Sequence, residues 1–398
     1  MIERPEYLKF LVDWKDHEVI KVVSGIRRCG KSTLFELYKN YLLNNGVEEN
    51  QIISINFEDA DNEYLCDYKS LYNFVKDKML KDKMNYIFLD EIQHVENFQK
   101  AVDSLFIKKN ADVYITGSNA YFMSGELATL LTGRYVELKM LPLSFKEYYN
   151  AIDTSRLTKE EVYTKYITNS SFPYTASLKD KNQIRIYLDG IFNTVVLNDI
   201  MARNKIADAS MLKSVIAFMF DNIGNPTSAK KIADTMTSMN RKISNHTVEN
   251  YLSAITDSLL MYKVGRYDIK GKQYLQMLDK YYLSDVGLRY YLLGSSNIDR
   301  GHLLENVVYL ELLRRGYEIY VGKVGTTEVD FITKDMNGNV QYFQVSYSVK
   351  DDKTLTRELE PLRNIQDHNP KFLLTMDNEP ITSHNGIQQV NVLDWLLS

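Results

Sequence analysis

Residues 19–33 read Val-Ile-Lys-Val-Val-Ser-Gly-Ile-Arg-Arg-Cys-Gly-Lys-Ser-Thr. The first six residues are rich in β-branched side chains, as a buried strand requires. The next nine hold the spacing G-x-x-x-x-G-K-[ST], with Gly25, Gly30, Lys31 and Ser32 at the fixed points. Glycines let successive backbone N–H groups converge on phosphate oxygens. Leu34, Leu37, Tyr38, Tyr41 and Leu42 then follow at helical spacing, so the positive end of a helix faces the same loop. Strand, glycine loop and helix in that order make a phosphate cradle of Gly25, Ile26, Arg27, Arg28, Cys29, Gly30, Lys31, Ser32 and Thr33. Lys31 is placed to meet the β- and γ-phosphates of a nucleotide, and the Ser32 hydroxyl to ligate Mg²⁺.

Strand-like runs recur at 52–57, 86–90, 113–116 and 135–138, with helical stretches between them. This alternation predicts a parallel α/β sheet of the P-loop type over 1–150. The run Tyr-Ile-Phe-Leu-Asp-Glu (86–91) ends in adjacent carboxylates. Asp90 is expected to hold Mg²⁺ through water or Ser32, and Glu91 to orient and deprotonate an attacking water. The pair favours hydrolysis over small-molecule kinase chemistry. At the end of the run 113–119, Thr116, Ser118 and Asn119 are candidate sensors of the terminal phosphate, and Asn119 is the choice. Arg134, just before the fifth strand, is a candidate arginine finger, within its own subunit or in a neighbour; action in trans would imply a homo-oligomer. No Asn-Lys-x-Asp signature for guanine is present, so the nucleotide is read as ATP.

The loop 25–33, Leu-Asp-Glu-Ile-Gln at 89–93, Thr-Gly-Ser-Asn at 116–119, Leu-Thr-Gly-Arg at 131–134 and Leu-Pro-Leu-Ser-Phe-Lys-Glu-Tyr at 141–148 carry a family resemblance. Together they resemble the AAA-type ATPases of bacteria and archaea that end in a C-terminal domain of unknown function. The resemblance covers essentially the whole chain. It implies an AAA-like core, then a winged helix, then a fold related to restriction endonucleases.

Beyond the first 150 residues, 151–224 has apolar residues at three-to-four spacing and reads as a helical linker. Residues 225–295 read as a winged helix-turn-helix. Asn-Pro-Thr-Ser caps a helix at 229–236, a second helix runs from Ser244 or Asn245 to about 263, and two strand-like runs flank Gly271. Residues 225–290 hold ten Lys/Arg against six Asp/Glu. Lys230, Lys231, Arg241, Lys242, Lys270 and Lys272 fall near the turn and wing, with His246 and Thr247 at the start of the second helix. Double-stranded DNA is thus one expected partner, and a protein is the other.

Residues 296–398 resemble a restriction-endonuclease core, with Glu305 on a helix, Glu328 and Asp330 on one strand, and Gln344 and Ser346 on the next. Metal-dependent cutting needs an acid and a lysine where Gln344 and Ser346 stand. Lys350 is the nearest lysine along the chain, four residues and roughly 13 Å of strand beyond Ser346. The module is therefore expected not to cut nucleic acid.

The bulk properties agree with this reading. The 398 residues carry a formal net charge of −4 with 44% hydrophobic residues, which excludes a wholly cationic nucleic-acid coat and disorder. Two cysteines, Cys29 and Cys66, make neither a zinc pattern nor a disulfide framework. No signal-peptide pattern and no apolar run of membrane-spanning length is present, so a soluble cytoplasmic protein is expected. The leading expectation is an ATP-hydrolysing switch or motor. A nucleotide-binding scaffold with negligible turnover is the alternative, and an active nuclease the third reading.

Overall fold

Strands β1 (Ile20–Gly25), β2 (Ile52–Asn56), β3 (Asn85–Asp90), β4 (Ala111–Ser118) and β5 (Tyr135–Lys139) form one sheet in the order β2-β3-β4-β1-β5. Every pairing in it is parallel. β1 and β3 are buried along their whole length, so their sequences run nearly continuously apolar instead of alternating. Helices α1 (Pro5–Asp13), α2 (Lys31–Asn44), α3 (Tyr68–Lys78) and α4 (Phe98–Phe106) accompany the sheet. Val22, Ile87, Leu89, Val113 and Ile115 pack with Leu71 and Val75 of α3 and Val102 and Leu105 of α4. Phe88 stacks on Tyr114 at 4.8 Å and meets Phe35 of α2 edge-on at 5.1 Å.

A buried ion pair interrupts this apolar interior. Lys21 of β1 is fully buried and ion-paired with buried Asp112 of β4. The Lys21 ammonium also donates to the His17 carbonyl at 2.8 Å. Asp112 accepts from the Tyr114 hydroxyl at 2.7 Å and the Asp16 amide at 2.9 Å. The pair is therefore satisfied on all sides, as a buried charge requires.

The computed structural model describes residues 1–118, 131, 133–269, 271, 273–294 and 299–398. The chain divides into two units, 1–142 with 257–259 and 143–256 with 260–398. The second begins with α5 (Phe145–Ala151), α6 (Lys159–Asn169), α7 (Lys181–Thr194), a π-helical segment Val195–Ala202 and α8 (Ala209–Asp221). Ser144 with Glu147, and Thr158 with Glu161, form reciprocal capping boxes that set where α5 and α6 start. Next come α9 (Ala229–Ser238), capped by Ser228, then α10 (Asn245–Asp257), a hairpin of β6 (Met261–Asp268) and β7 (Gln273–Leu283), and α11 (Val286–Leu293). The helix expected to reach about residue 263 stops at Asp257. Leu259 takes a left-handed backbone (φ 56°) that turns the chain into β6. Ile255, Leu259 and Leu260 fit helix and strand spacing equally, so the sequence hid this end.

Gly287 in α11 shows how tightly this unit is closed. A Cβ there would lie 2.4 Å from Ser170 Cα and 2.5 Å from its amide nitrogen. Asp285 clamps the same contact, accepting from the Ser171 amide and hydroxyl, each at 2.6 Å, and capping α11 through the Leu288 amide at 2.9 Å. Gly287→Ala is expected to destabilise this unit by about 1–3 kcal/mol, since backbone must move to admit the methyl group. A urea midpoint equal to that of the unsubstituted chain would contradict this.

The remaining elements are α12 (Arg300–Arg314), β8 (Glu318–Val324), β9 (Thr327–Lys334), β10 (Val340–Ser346), α13 (Asp352–Arg363), β11 (Lys371–Thr375), β12 (Thr382–His384), β13 (Ile387–Asn391) and α14 (Val392–Leu397). They complete a mixed eight-stranded sheet, β12-β13-β11-β10-β9-β8-β6-β7. Tyr309 of α12 stacks on Tyr282 at 4.5 Å, and Leu359 and Leu362 of α13 pack with Val329, Ile332 and Leu373. The sequence reading placed the hairpin and the last hundred residues in different modules. Here β6 pairs with β8 through Arg266–Asp268 against Val321–Lys323, so hairpin and C-terminal strands share one sheet. Among the described residues, no helix is long and apolar enough to cross a membrane.

Candidate functional site

At the end of β1 the chain enters the 25–30 loop through two left-handed residues, Arg28 (φ 66°) and Gly30 (φ 107°). Gly30 is the N-cap of α2 and brings no side chain to cap it, which leaves the first N–H groups of the helix for a ligand. Gly25 must be glycine, because a Cβ would lie 2.3 Å from the Met140 carbonyl oxygen and 2.8 Å from Cys29 Sγ. Lys31 is buried, its ammonium 3.1 Å from the Gly25 carbonyl and 3.4 Å from Glu91 Oε1. Ser32 is exposed, and its hydroxyl lies near enough to the Asp90 carboxylate to draw that carboxyl's pKa down.

Strand β3 delivers the two acids to the same end of the sheet. Asp90 accepts from the Thr116 hydroxyl, and that hydroxyl in turn accepts from the Glu91 amide at 2.9 Å. Burial pushes the Asp90 carboxyl up, with hydrogen bonds from Ser32 and Thr116 acting against it. For Glu91, burial is the largest single influence and acts upward. The charges of Lys31 and Arg27 and the Gln93 hydrogen bond outweigh it, and the carboxyl ends below its ordinary value. Glu91 also has a left-handed backbone (φ 54°), a conformation that costs about 1–3 kcal/mol in a residue with a Cβ and occurs where a side chain must be aimed. Gln93 Nε2 holds Glu91 Oε2 at 2.5 Å.

Lys31, Ser32, Asp90 and Glu91 thus converge, and with the open start of α2 they fit Mg²⁺ and a nucleotide triphosphate. Around them, Arg27 pairs with Glu58 at 3.2 Å, Arg28 is exposed, and Cys29 is buried, with burial pushing its thiol up. Asn119 lies outside the described residues. Arg134 is exposed at the start of β5, where its carbonyl accepts from the Ile20 amide and its guanidinium lies 5.7 Å from the Phe106 ring. Ile20 begins β1 and the phosphate loop follows its end, so Arg134 sits roughly 16 Å away, at the opposite edge of the sheet. That position separates the Arg134 backbone from the phosphate loop of its own chain.

Two contributors escaped the sequence reading. Gln93 was visible only as part of a motif, with no role attached. Arg4 is buried and donates to the carbonyls of Cys29 at 3.1 Å and Leu141 at 2.8 Å, tying the phosphate loop to the chain after β5. Nothing local in the sequence marks a contact across 137 residues.

The second unit holds a cleft of about 500 Å³ lined by Glu305, Glu328, Asp330, Gln344, Ser346 and Glu358. The lysine in it is Lys280 of β7, not Lys350; Lys350 is exposed and lines a neighbouring cavity. Of the basic excess at 225–290, much is spent internally. Lys263 pairs with Asp279, Arg266 with Glu328, Lys280 with Glu305 and Glu328, and Arg289 with Asp221, while Arg241 bonds Ser210 and Ser214. Lys230, Lys231, Lys242 and His246 are exposed, and Lys270 and Lys272 lie outside the described residues.

Residues 17–149 match the family described as AAA domain (AAA_14), and residues 160–299 match a domain of unknown function (DUF8612). Among solved structures, the Walker-type ATPase paby2304 of Pyrococcus abyssi is similar at 14% identity with a TM-score of 0.47, over 73% of this chain and 96% of that one. An uncharacterized protein of Haemophilus influenzae is 40% identical over 400 residues, covering 100% of this chain and 99% of its own length. Protein MJ1544 of Methanocaldococcus jannaschii is 30% identical over 361 residues, covering 83% of this chain and 75% of its own. The chain belongs to one family with these two proteins, and within it joins an AAA-type P-loop ATPase domain to the domain of unknown function DUF8612.

Proposed function

We infer that the first unit hydrolyses ATP with Mg²⁺ and acts as a nucleotide-dependent switch or motor. The observation that carries this reading is the convergence of Lys31, Ser32, Asp90, Glu91 and Thr116 at one end of the sheet. ATP supplies the γ-phosphoryl group, and Mg²⁺ the charge that meets its oxygens. Lys31 and the first amides of α2 would hold the phosphates, and Ser32 with Asp90 the metal ion. Thr116 keeps Asp90 in position and pins the backbone of Glu91. Glu91 then takes a proton from water, a role its charged carboxyl suits. Asn119 as phosphate sensor, and Arg134 acting on a neighbouring copy, complete the proposal. Phosphate release by the purified protein is the test, and a rate at background, equal to that of Glu91→Gln, would favour a nucleotide-binding scaffold.

The second unit is the reporter of nucleotide state, to double-stranded DNA or to a protein. Helices α9 and α10 followed by the β6–β7 hairpin support a winged helix-turn-helix reading, with exposed Lys230, Lys231, Lys242 and His246 on it. ATP turnover measured with and without double-stranded DNA decides between the partners. If DNA is the partner it stimulates turnover, and neutralising Lys230, Lys231, Lys270 and Lys272 removes the stimulation. Each lysine taken away from a DNA phosphate should also lower the salt slope of binding by about 1. No response to DNA assigns the surface to a protein. Nuclease activity is not part of this function; plasmid nicking with Mg²⁺ or Mn²⁺ that disappears in Asp330→Ala would overturn that statement.

A further inference from the structure

We propose that the Lys280 ammonium is the resident cation of the acidic cleft in the second unit, and that it keeps divalent metal out. The fold resemblance implies a metal at this place, and the residues present do not fit one. Glu305 and Glu328, with Asp330 and Glu358, bring four carboxylates to one cleft. Carboxylates gathered this closely need a cation, or they protonate. Lys280 is 3.0 Å from Glu305 Oε1 and 2.8 Å from Glu328 Oε1, and it is only 4% exposed.

Several of the other carboxylate oxygens face protein donors as well. The Tyr282 hydroxyl donates to Glu305 Oε1 at 2.6 Å, and Arg266 to Glu328 Oε2 at 2.6 Å. Gln344 donates to Glu358 Oε2 at 2.9 Å, and Arg357 to Glu358 Oε1 at 2.7 Å. The Val345 amide donates to Asp330 Oδ2 at 2.8 Å. A metal needs several oxygens aimed at one point, and here one oxygen of each acid is taken by an N–H or O–H group and Lys280 sits between Glu305 and Glu328. Among the described residues, no group of three His, Cys, Asp or Glu is placed to hold a metal ion. Asp330 is poorly suited for a second reason. Its burial and the nearby Glu305 raise its carboxyl well above the ordinary range, towards the neutral acid.

The cation comes from outside the acid-bearing elements. Lys280 and Arg266 both stand on the β6–β7 hairpin, while their partners stand on α12 and β9. The acids therefore do a different job from metal binding: they anchor the hairpin to the sheet it joins. A divalent ion entering the cleft would have to expel a buried ammonium that is built into a strand.

This inference stands apart from the ATPase reading and is tested without nucleotide. Mn²⁺ uptake is followed by electron paramagnetic resonance on the full chain carrying Ser32→Ala and Asp90→Asn, which remove the other candidate metal site. The background chain is expected to take up no Mn²⁺ below about 1 mM, the weak end of carboxylate sites. Adding Lys280→Met should create uptake of one Mn²⁺ per chain with at least a tenfold gain in affinity, lost again when Glu305→Gln is added. A folded Lys280→Met chain that gains no Mn²⁺ overturns the proposal. So does uptake in the background chain that Glu305→Gln abolishes, an arm that decides the matter even if Lys280→Met fails to fold.

Discussion

Replacing Glu91 with Gln is expected to lower ATP turnover by about 10²–10⁴-fold while leaving nucleotide bound, because a positioned general base contributes on that scale. The substitution keeps the side chain's shape and its reach to Gln93, and removes only the negative charge and the proton acceptor. The Lys31 ammonium, 3.4 Å from Glu91 Oε1 in this structure, loses that ion partner and turns fully to the phosphates. Affinity for ATP should therefore hold or rise as turnover falls. Titration with a fluorescent ATP analogue and single-turnover phosphate release separate the two quantities. A rate within threefold of the unsubstituted protein would remove Glu91 from the chemistry. Lys31→Ala provides the contrast, since it should weaken binding itself.

The second large effect is on stability. Asp112→Ala would leave the buried Lys21 ammonium without its carboxylate partner and take one acceptor each from the Tyr114 hydroxyl and the Asp16 amide. Removing one partner of a buried ion pair costs about 3–5 kcal/mol, because the other charge stays buried and unpaired. For a unit of this size the Tm should fall by roughly 6–20 °C. Burial already pushes the Lys21 pKa down, with Asp112 acting against it, so the lone amine would be driven further towards neutrality. The double substitution Lys21→Met with Asp112→Leu should recover most of the loss, since an apolar pair of similar volume is often neutral in such a place. A loss below about 1 kcal/mol for Asp112→Ala alone would show that water reaches the pair.

The parts of this molecule legible in its sequence are those with local causes. The run 19–33 announces strand, loop and helix because each step depends on residues a few positions apart. Asp90 and Glu91 are legible for the same reason, as charges ending an apolar strand. What stayed hidden depends on partners far along the chain. The placement of Arg134 follows only from its register beside Ile20, and the role of Thr116 only from the neighbouring strand that carries Asp90. The basic excess at 225–290 suggested a charged face, yet Arg266, Lys280 and Arg289 have acids as partners that lie 25 to 68 residues away. A count of charges cannot separate a cation that faces solvent from one that faces a buried acid.

The shared sheet of the second unit also sets an order of events during synthesis. When the hairpin Met261–Leu283 leaves the ribosome, its β8 neighbour, at 318–324, has yet to be made. Until then the free edge of β6 is open to any other strand, and Lys280 has no Glu305 or Glu328 to meet. A chain cut near residue 295, at the boundary the sequence suggested, would carry that exposed edge and that unpaired charge permanently. Such a fragment should aggregate or be degraded, whereas a cut that follows the last strand of the sheet leaves Lys280 with Glu305 and Glu328 and the edge of β6 covered.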